Sequence, residues 1–137
     1  MERLADAMMR GGAVVRSMRR RQTAVVPGLE QGHLRVLDVL ADGPLRVGEL
    51  ATALQLELPT VSRRVTRLVE LGLVAKVAGQ ADRRVQVTGL TDEGHRAVER
   101  MREQRRQVVD EILQDWSEAE LAELARLLEK LADGVVA

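Results

Sequence analysis

Apolar residues recur along this chain at two rhythms, and each change of rhythm marks a new element. From Glu2 to Arg21, Leu4, Met8, Val15 and Met18 fall at helical spacing. Gly11-Gly12 interrupts that run at a cost of roughly 1 kcal/mol per glycine relative to alanine, which predicts a helix that bends there or packs closely on a neighbour. Pro27-Gly28 marks a turn. A second helix, Glu30 to Ala41, places Leu34, Leu37 and Leu40 on one face, and Asp42-Gly43-Pro44 stops it. After a short extended piece (Leu45 to Val47), a third helix runs through Glu49 to Leu54. Pro59 suits the first turn of a fourth helix, which runs to Leu71 with Val61, Val65, Leu68 and Leu71 inward and stops at Gly72.

The rhythm then shortens. Leu73 to Val77 and Arg84 to Thr88 are β-branched and partly alternating, and the polar stretch 78–83 between them predicts a hairpin. Thr91-Asp92-Glu93 opens a fifth helix, with a hydroxyl cap and acids at the positive end of the helix dipole. Its stripe is Val98, Met101, Val108, Ile112 and Leu113. Ser117-Glu118-Ala119-Glu120 reads as a capping box for a sixth helix carrying Leu121, Leu124, Leu128 and Leu131, ended by Gly134.

Composition narrows the class. The chain has 137 residues, 45% of them hydrophobic and 31% charged, which suits one small globular core with room for an appended helical module. Phe and Tyr are absent and Trp116 is the single aromatic, so the core is aliphatic. Without cysteine there are no disulfides and no thiolate metal sites. No apolar run reaches the ~20 residues that span a bilayer, and the start lacks signal-peptide order, so the expectation is a cytoplasmic chain with no membrane partner. Net charge is zero but unevenly placed. Arg63, Arg64, Arg67, Lys76, Arg83 and Arg84 outweigh Glu70 and Asp82 in the middle, whereas acids dominate from Asp110 to Asp133. A basic middle and an acidic end suggest one surface for a polyanion and another kept from it.

Two short helices across a tight break, followed by a hairpin, are the ordered parts of a winged helix-turn-helix. The fold class expected is mainly α with a small β-hairpin wing. In the second of those helices, Val61, Val65 and Leu68 turn inward. Pro59, Thr60, Ser62, Arg63, Thr66 and Arg67 then lie outward or on the flanks as candidate DNA-reading residues. Arginine can form two parallel hydrogen bonds to a guanine edge, and hydroxyls reach phosphates or bases. In the hairpin loop, Asp82-Arg83-Arg84 offers an arginine for a narrow minor groove and a carboxylate to orient its guanidinium.

The chain resembles the MarR (multiple antibiotic resistance regulator) family over about Leu29 to Gly134. The residues that carry the resemblance are Leu34-Arg35-Val36-Leu37, Gly48-Glu49-Leu50-Ala51, Pro59-Thr60-Val61-Ser62-Arg63, Leu68, Gly72-Leu73-Val74, Asp82-Arg83-Arg84 and Leu90-Thr91-Asp92-Glu93-Gly94. Their order and spacing make the match specific. The resemblance implies a homodimer based on the first, fifth and sixth helices, with Arg84 in the minor groove and Asp82 bracing it. It also implies repression of transcription, with release by a small, often phenolic or otherwise amphipathic anion. The corresponding division is an N-terminal dimerisation helix (1–28), a DNA-binding lobe (29–92) and C-terminal dimerisation helices (93–137). Independently, the first, fifth and sixth helices carry more apolar surface than so small a winged domain can bury, which marks an interface. Two-fold symmetry would set two recognition helices about 34 Å apart and call for a pseudo-palindromic double-stranded operator.

Some residues depart from the family pattern. Glu57 stands where a serine-like cap is usual before the recognition helix, and Gln55 replaces a common glycine. The missing aromatics argue against a ring-stacking pocket. His33 and His95 read as surface or capping residues, with no partner at i+4 to make a metal site. Met8, Met9, Met18 and Met101 read as core. No cofactor is expected, and the absence of a nucleophile grouping or glycine-rich phosphate loop argues against an enzyme. The competing reading is a winged-helix module that docks protein. The polar outward face of the fourth helix lacks the apolar anchors such a module needs.

Overall fold

A computed structural model describes residues 1–22 and 26–136 of the chain. Its elements run α1 (Glu2–Gln22), α2 (Gln31–Leu40), α3 (Val47–Leu54), α4 (Leu58–Glu70), β1 (Val74–Ala78), β2 (Gln86–Leu90), α5 (Asp92–Ile112) and α6 (Glu118–Val136). The chain packs as two compact units, Met1–Arg105 and Arg106–Ala137, with the boundary inside α5. No described helix is long and apolar enough to cross a membrane.

The core of the first unit is aliphatic, as the composition requires. Leu34, Val36, Leu37 and Leu40 of α2 meet Leu50, Ala51 and Leu54 of α3, and Val61, Val65 and Leu68 of α4 close over them. Ala97, Val98 and Met101 of α5 belong to the same cluster. Met101 is the methionine that this core takes in. Met8 and Met9 are exposed in the single chain, contrary to their reading as core. Leu71 also lies outside the core, at 37% exposure, because it caps the helix and its backbone turns away there.

The helix ends explain the tight connections. After α4, Gly72 adopts a left-handed φ of 74°. The Leu73 N–H then reaches the Leu68 carbonyl at 3.0 Å and the Gly72 N–H the Val69 carbonyl at 3.0 Å, a Schellman termination. The same pattern ends α3, where the left-handed position is Gln55 (φ 55°, ψ 44°) and the Leu56 N–H reaches the Ala51 carbonyl at 3.0 Å. Gln55 is the one non-glycine residue with positive φ among the described residues, so its replacement of glycine carries a real backbone cost.

The hairpin is shifted from the sequence expectation. β1 and β2 pair antiparallel with Val74 opposite Leu90 and Ala78 opposite Gln86. Arg84 and Val85 therefore belong to the loop, while Gly89 and Leu90 join the strand. Leu45 adds a bridge to Thr88 through two backbone hydrogen bonds of 3.0 and 2.7 Å, whereas Val47, expected in the extended piece, begins α3. α1 runs unbroken through Gly11 and Gly12, and a Cβ at Gly11 would meet nothing within 4 Å, so close packing does not explain that glycine. α6 also continues past Gly134 to Val136.

Thr91 ties the wing to α5. Its hydroxyl donates to the Gly72 carbonyl at 2.6 Å and accepts the Gly94 N–H at 3.1 Å. This close approach leaves no room at Gly94, where a Cβ would strike the Leu73 carbonyl oxygen and lie 3.2 Å from Leu90 Cδ2. Gly94→Ala should lower stability by about 1–3 kcal/mol despite the better helix propensity of alanine, because the obstacle is backbone. A thermal melt of the variant at or above the parent midpoint would contradict this packing.

Candidate nucleic-acid interface

The position of α4 decides which side chains face outward. Its Val61, Val65 and Leu68 ridge is fully buried, so the opposite face has no choice but solvent. Pro59, Ser62, Arg63, Thr66 and Arg67 are exposed and Thr60 is half-buried, which is the arrangement expected from the spacing. Pro59 occupies the first turn, where a missing N–H costs nothing. Glu57 is the N-cap, but its side chain makes no capping bond, so it contributes charge rather than a hydrogen bond there.

These residues are not equivalent. Arg63 has no ion-pair or hydrogen-bond partner among the described residues and is free to extend. The Thr66 hydroxyl donates to the Ser62 carbonyl at 2.9 Å, which leaves it as an acceptor. Arg67 pairs with Glu70 at 3.5 Å. Arg64, passed over as a site residue in the sequence, is half-buried and lies against α2. Leu58, half exposed beside Pro59, was passed over as well. An apolar side chain at the start of such a helix can meet a thymine methyl group.

The loop 79–85 is closed by its own backbone, with the Gly79 N–H bonded to the Val85 carbonyl at 2.7 Å and the Val85 N–H to the Asp82 carbonyl at 3.1 Å. Within it, Asp82 Oδ1 accepts from the Arg84 backbone N–H at 3.0 Å and from Arg84 Nε at 3.2 Å, while Oδ2 accepts from the terminal guanidinium nitrogen at 3.3 Å. The carboxylate thus grips the arginine in a fork, and the Arg84 side chain remains 92% exposed. Hydrogen bonds from the Arg84 side chain, then from its backbone, hold the Asp82 carboxyl below the usual carboxylate range. Arg83 beside it is exposed. All nine residues expected at the site lie in the first unit, on α4 and on the loop of the wing.

Two relatives are informative. YxaD, an uncharacterized HTH-type transcriptional regulator of Bacillus subtilis, is 30% identical over 98 residues, covering 72% of this chain and 67% of its own. MdtR, an HTH-type transcriptional repressor of the same organism, is 31% identical over 106 residues, covering 77% and 68%. The MarR family pattern itself matches residues 28–85. The chain belongs to the MarR family. A solved MarR family protein from Bacillus stearothermophilus superposes over 100% of this chain and 99% of its own, with a TM-score of 0.84 at 25% identity. The protein is therefore a MarR-family transcriptional regulator with a winged helix-turn-helix, as the motifs implied.

His33 behaves as a capping residue. Its Nδ1 accepts the Glu30 backbone N–H at 3.1 Å at the start of α2, which requires that nitrogen to be unprotonated. Burial, first, and then Arg64 and Arg67 push its pKa below the usual 6.5, with Glu30 opposing. The folded state therefore binds this proton less well than the unfolded chain does. The resulting contribution is complete above the unfolded value and is lost as pH falls through about 6.5 toward the lower folded value. Between pH 7.5 and 5.5, wild type should lose more stability in urea titrations than His33→Gln, whose side-chain oxygen can still accept the Glu30 N–H. Equal losses would remove His33 from this role.

Proposed function

We propose that the protein is a homodimeric repressor of adjacent genes that binds a pseudo-palindromic operator in the cytoplasm and leaves it when a small amphipathic anion binds. The observation that carries the DNA reading is the exposed, forked Asp82–Arg84 pair on the same unit as an α4 whose polar face is exposed. In this reading Arg63, Ser62, Thr60, Thr66 and Arg67 of α4, led in by Pro59, meet the major groove. Arg84 enters the adjacent minor groove, and Arg83 serves phosphate.

Dimerisation is supported by exposed apolar faces. Leu4, Met8 and Val15 of α1 and Leu121, Leu128 and Leu131 of α6 stand between about a third and two thirds exposed, more than a lone chain of this size keeps in water without use. Residues 1–28 and 93–137 would supply this interface and 29–92 the DNA-binding lobe. The repressor assignment is supported by the likeness to MdtR. Effector binding is supported by a cavity of about 370 Å³ in the first unit, where Met18, Leu34 and Leu54 form apolar walls beside Arg19 and Arg35. With Asp38 on the same wall neutralised by Arg105, these side chains would suit a small amphipathic anion without ring stacking, at the small end of ligand pockets.

The test is binding to duplex DNA from the gene's own upstream region, followed by fluorescence anisotropy. Arg84→Ala should weaken binding by roughly tenfold or more with the dimer intact, since only the wing contact is removed. Arg63→Ala should cost about 1–3 kcal/mol on the preferred sequence and relax base preference. An equal loss on every sequence would make Arg63 a phosphate contact instead. If wild type prefers no sequence over random duplex at moderate salt, the protein-docking reading of the winged helix replaces this one.

A further inference from the structure

Arg64 is the basic residue of α4 that the DNA-reading face leaves aside, and its surroundings give it a separate role. A Cβ built on Gly32 would run into its guanidinium, meeting Nε at 2.6 Å and a terminal nitrogen at 2.7 Å. The guanidinium therefore occupies the space that any other residue at position 32 would fill. Glycine inside a helix weakens it relative to alanine, so α2 gives up local stability at this position and gains only that space. The flanking residues anchor the spot. The Gln31 side chain donates to the Arg19 carbonyl on α1, and His33 caps the helix through the Glu30 N–H.

The ridge of Val61, Val65 and Leu68 sets which face of α4 turns inward, but burial of apolar surface is non-directional and fixes the fine rotation less sharply. A planar head seated against a helix backbone is directional. Guanidinium is also weakly hydrated, which suits its half-buried position. We propose that Arg64 is a positioning residue for sequence recognition: seated on Gly32, it sets the rotation of α4 on α2, and so the point at which Arg63 reaches a base edge, without touching DNA itself. This rests on the reading of α4 as a DNA-reading helix. It assigns recognition a residue on the buried flank of α4, together with a glycine on a different helix.

The discriminating variant is Gly32→Ala in the full-length protein, because it keeps every charge and every donor and removes only the seat. Its thermal midpoint should equal or exceed that of the parent. Its affinity for the preferred duplex, selected from random sequence, should fall about tenfold, the size of one displaced base contact. Affinity for unrelated duplex and the slope of binding against salt should be unchanged, so the specificity ratio falls. Arg64→Ala should reproduce that loss of ratio, and the double variant should be no worse than either single one.

Parental specificity in Gly32→Ala would overturn the proposal. So would an Arg64→Ala variant that weakens all DNA alike and lowers the salt slope by about one, the mark of a phosphate contact. A wild-type protein with no preferred duplex would instead overturn the DNA reading on which the proposal stands, and that outcome is separable because it appears before any substitution.

Discussion

Burial of one side of α4 is the constraint from which the rest of the site follows. A helix of thirteen residues with Val61, Val65 and Leu68 committed to a core of leucines must turn its remaining residues outward. The polar face is thus a consequence of packing, whatever use is made of it. It also explains why Arg63 and Arg64, adjacent in sequence, have different surroundings. At 100° per residue, Arg63 points away from the buried ridge, and Arg64 lies at its edge where it can reach α2.

The wing solves a different problem. A guanidinium on a free loop loses rotamer entropy when it enters a groove, and that loss weakens binding. If Arg84 enters a groove as proposed, holding the side chain against Asp82 beforehand would remove part of that cost. The arrangement works because the loop closes on itself through Gly79, Val85 and Asp82, so the carboxylate and the guanidinium sit two residues apart with the backbone N–H also committed. The salt bridge itself is exposed and contributes little to folding. Its effect is on conformation.

Helical periodicity made most of this architecture legible in the sequence, since leucines and valines at three- and four-residue spacing can bury only one face. The Thr91 cap of α5 and the Ser117–Glu120 box of α6 were equally legible, and both form, the latter with bonds of 3.0 and 3.1 Å. The hairpin register was not. Arg84-Val85 looks like strand by residue type, but the fork to Asp82 draws both into the loop. Gly89, beyond the expected end of the strand at Thr88, stays in it, and a Cβ there would stand 3.4 Å from Pro44 Cγ. Gly32 was unreadable for a related reason. A glycine in a helix shows only a local penalty in the sequence, and its use depends on a side chain thirty-two positions away.

The uneven charge bears on what the exposed leucines are for. α6 carries Glu118, Glu120, Glu123, Glu129 and Asp133 against Arg126 and Lys130, with Arg126 engaged by Glu123 at 2.7 Å. Such a helix repels phosphate, so its apolar face is unsuited to DNA wherever it sits. On the proposed reading Leu121, Leu127, Leu128 and Leu131 would meet a protein surface, and an acidic border around an apolar centre disfavours nucleic acid there. By the same reasoning the basic α4 and wing, with exposed arginines and few acids, are unsuited to a protein's apolar face. On the proposed reading, one chain would separate its two kinds of partner by the sign of the charge around each surface, which net neutrality conceals.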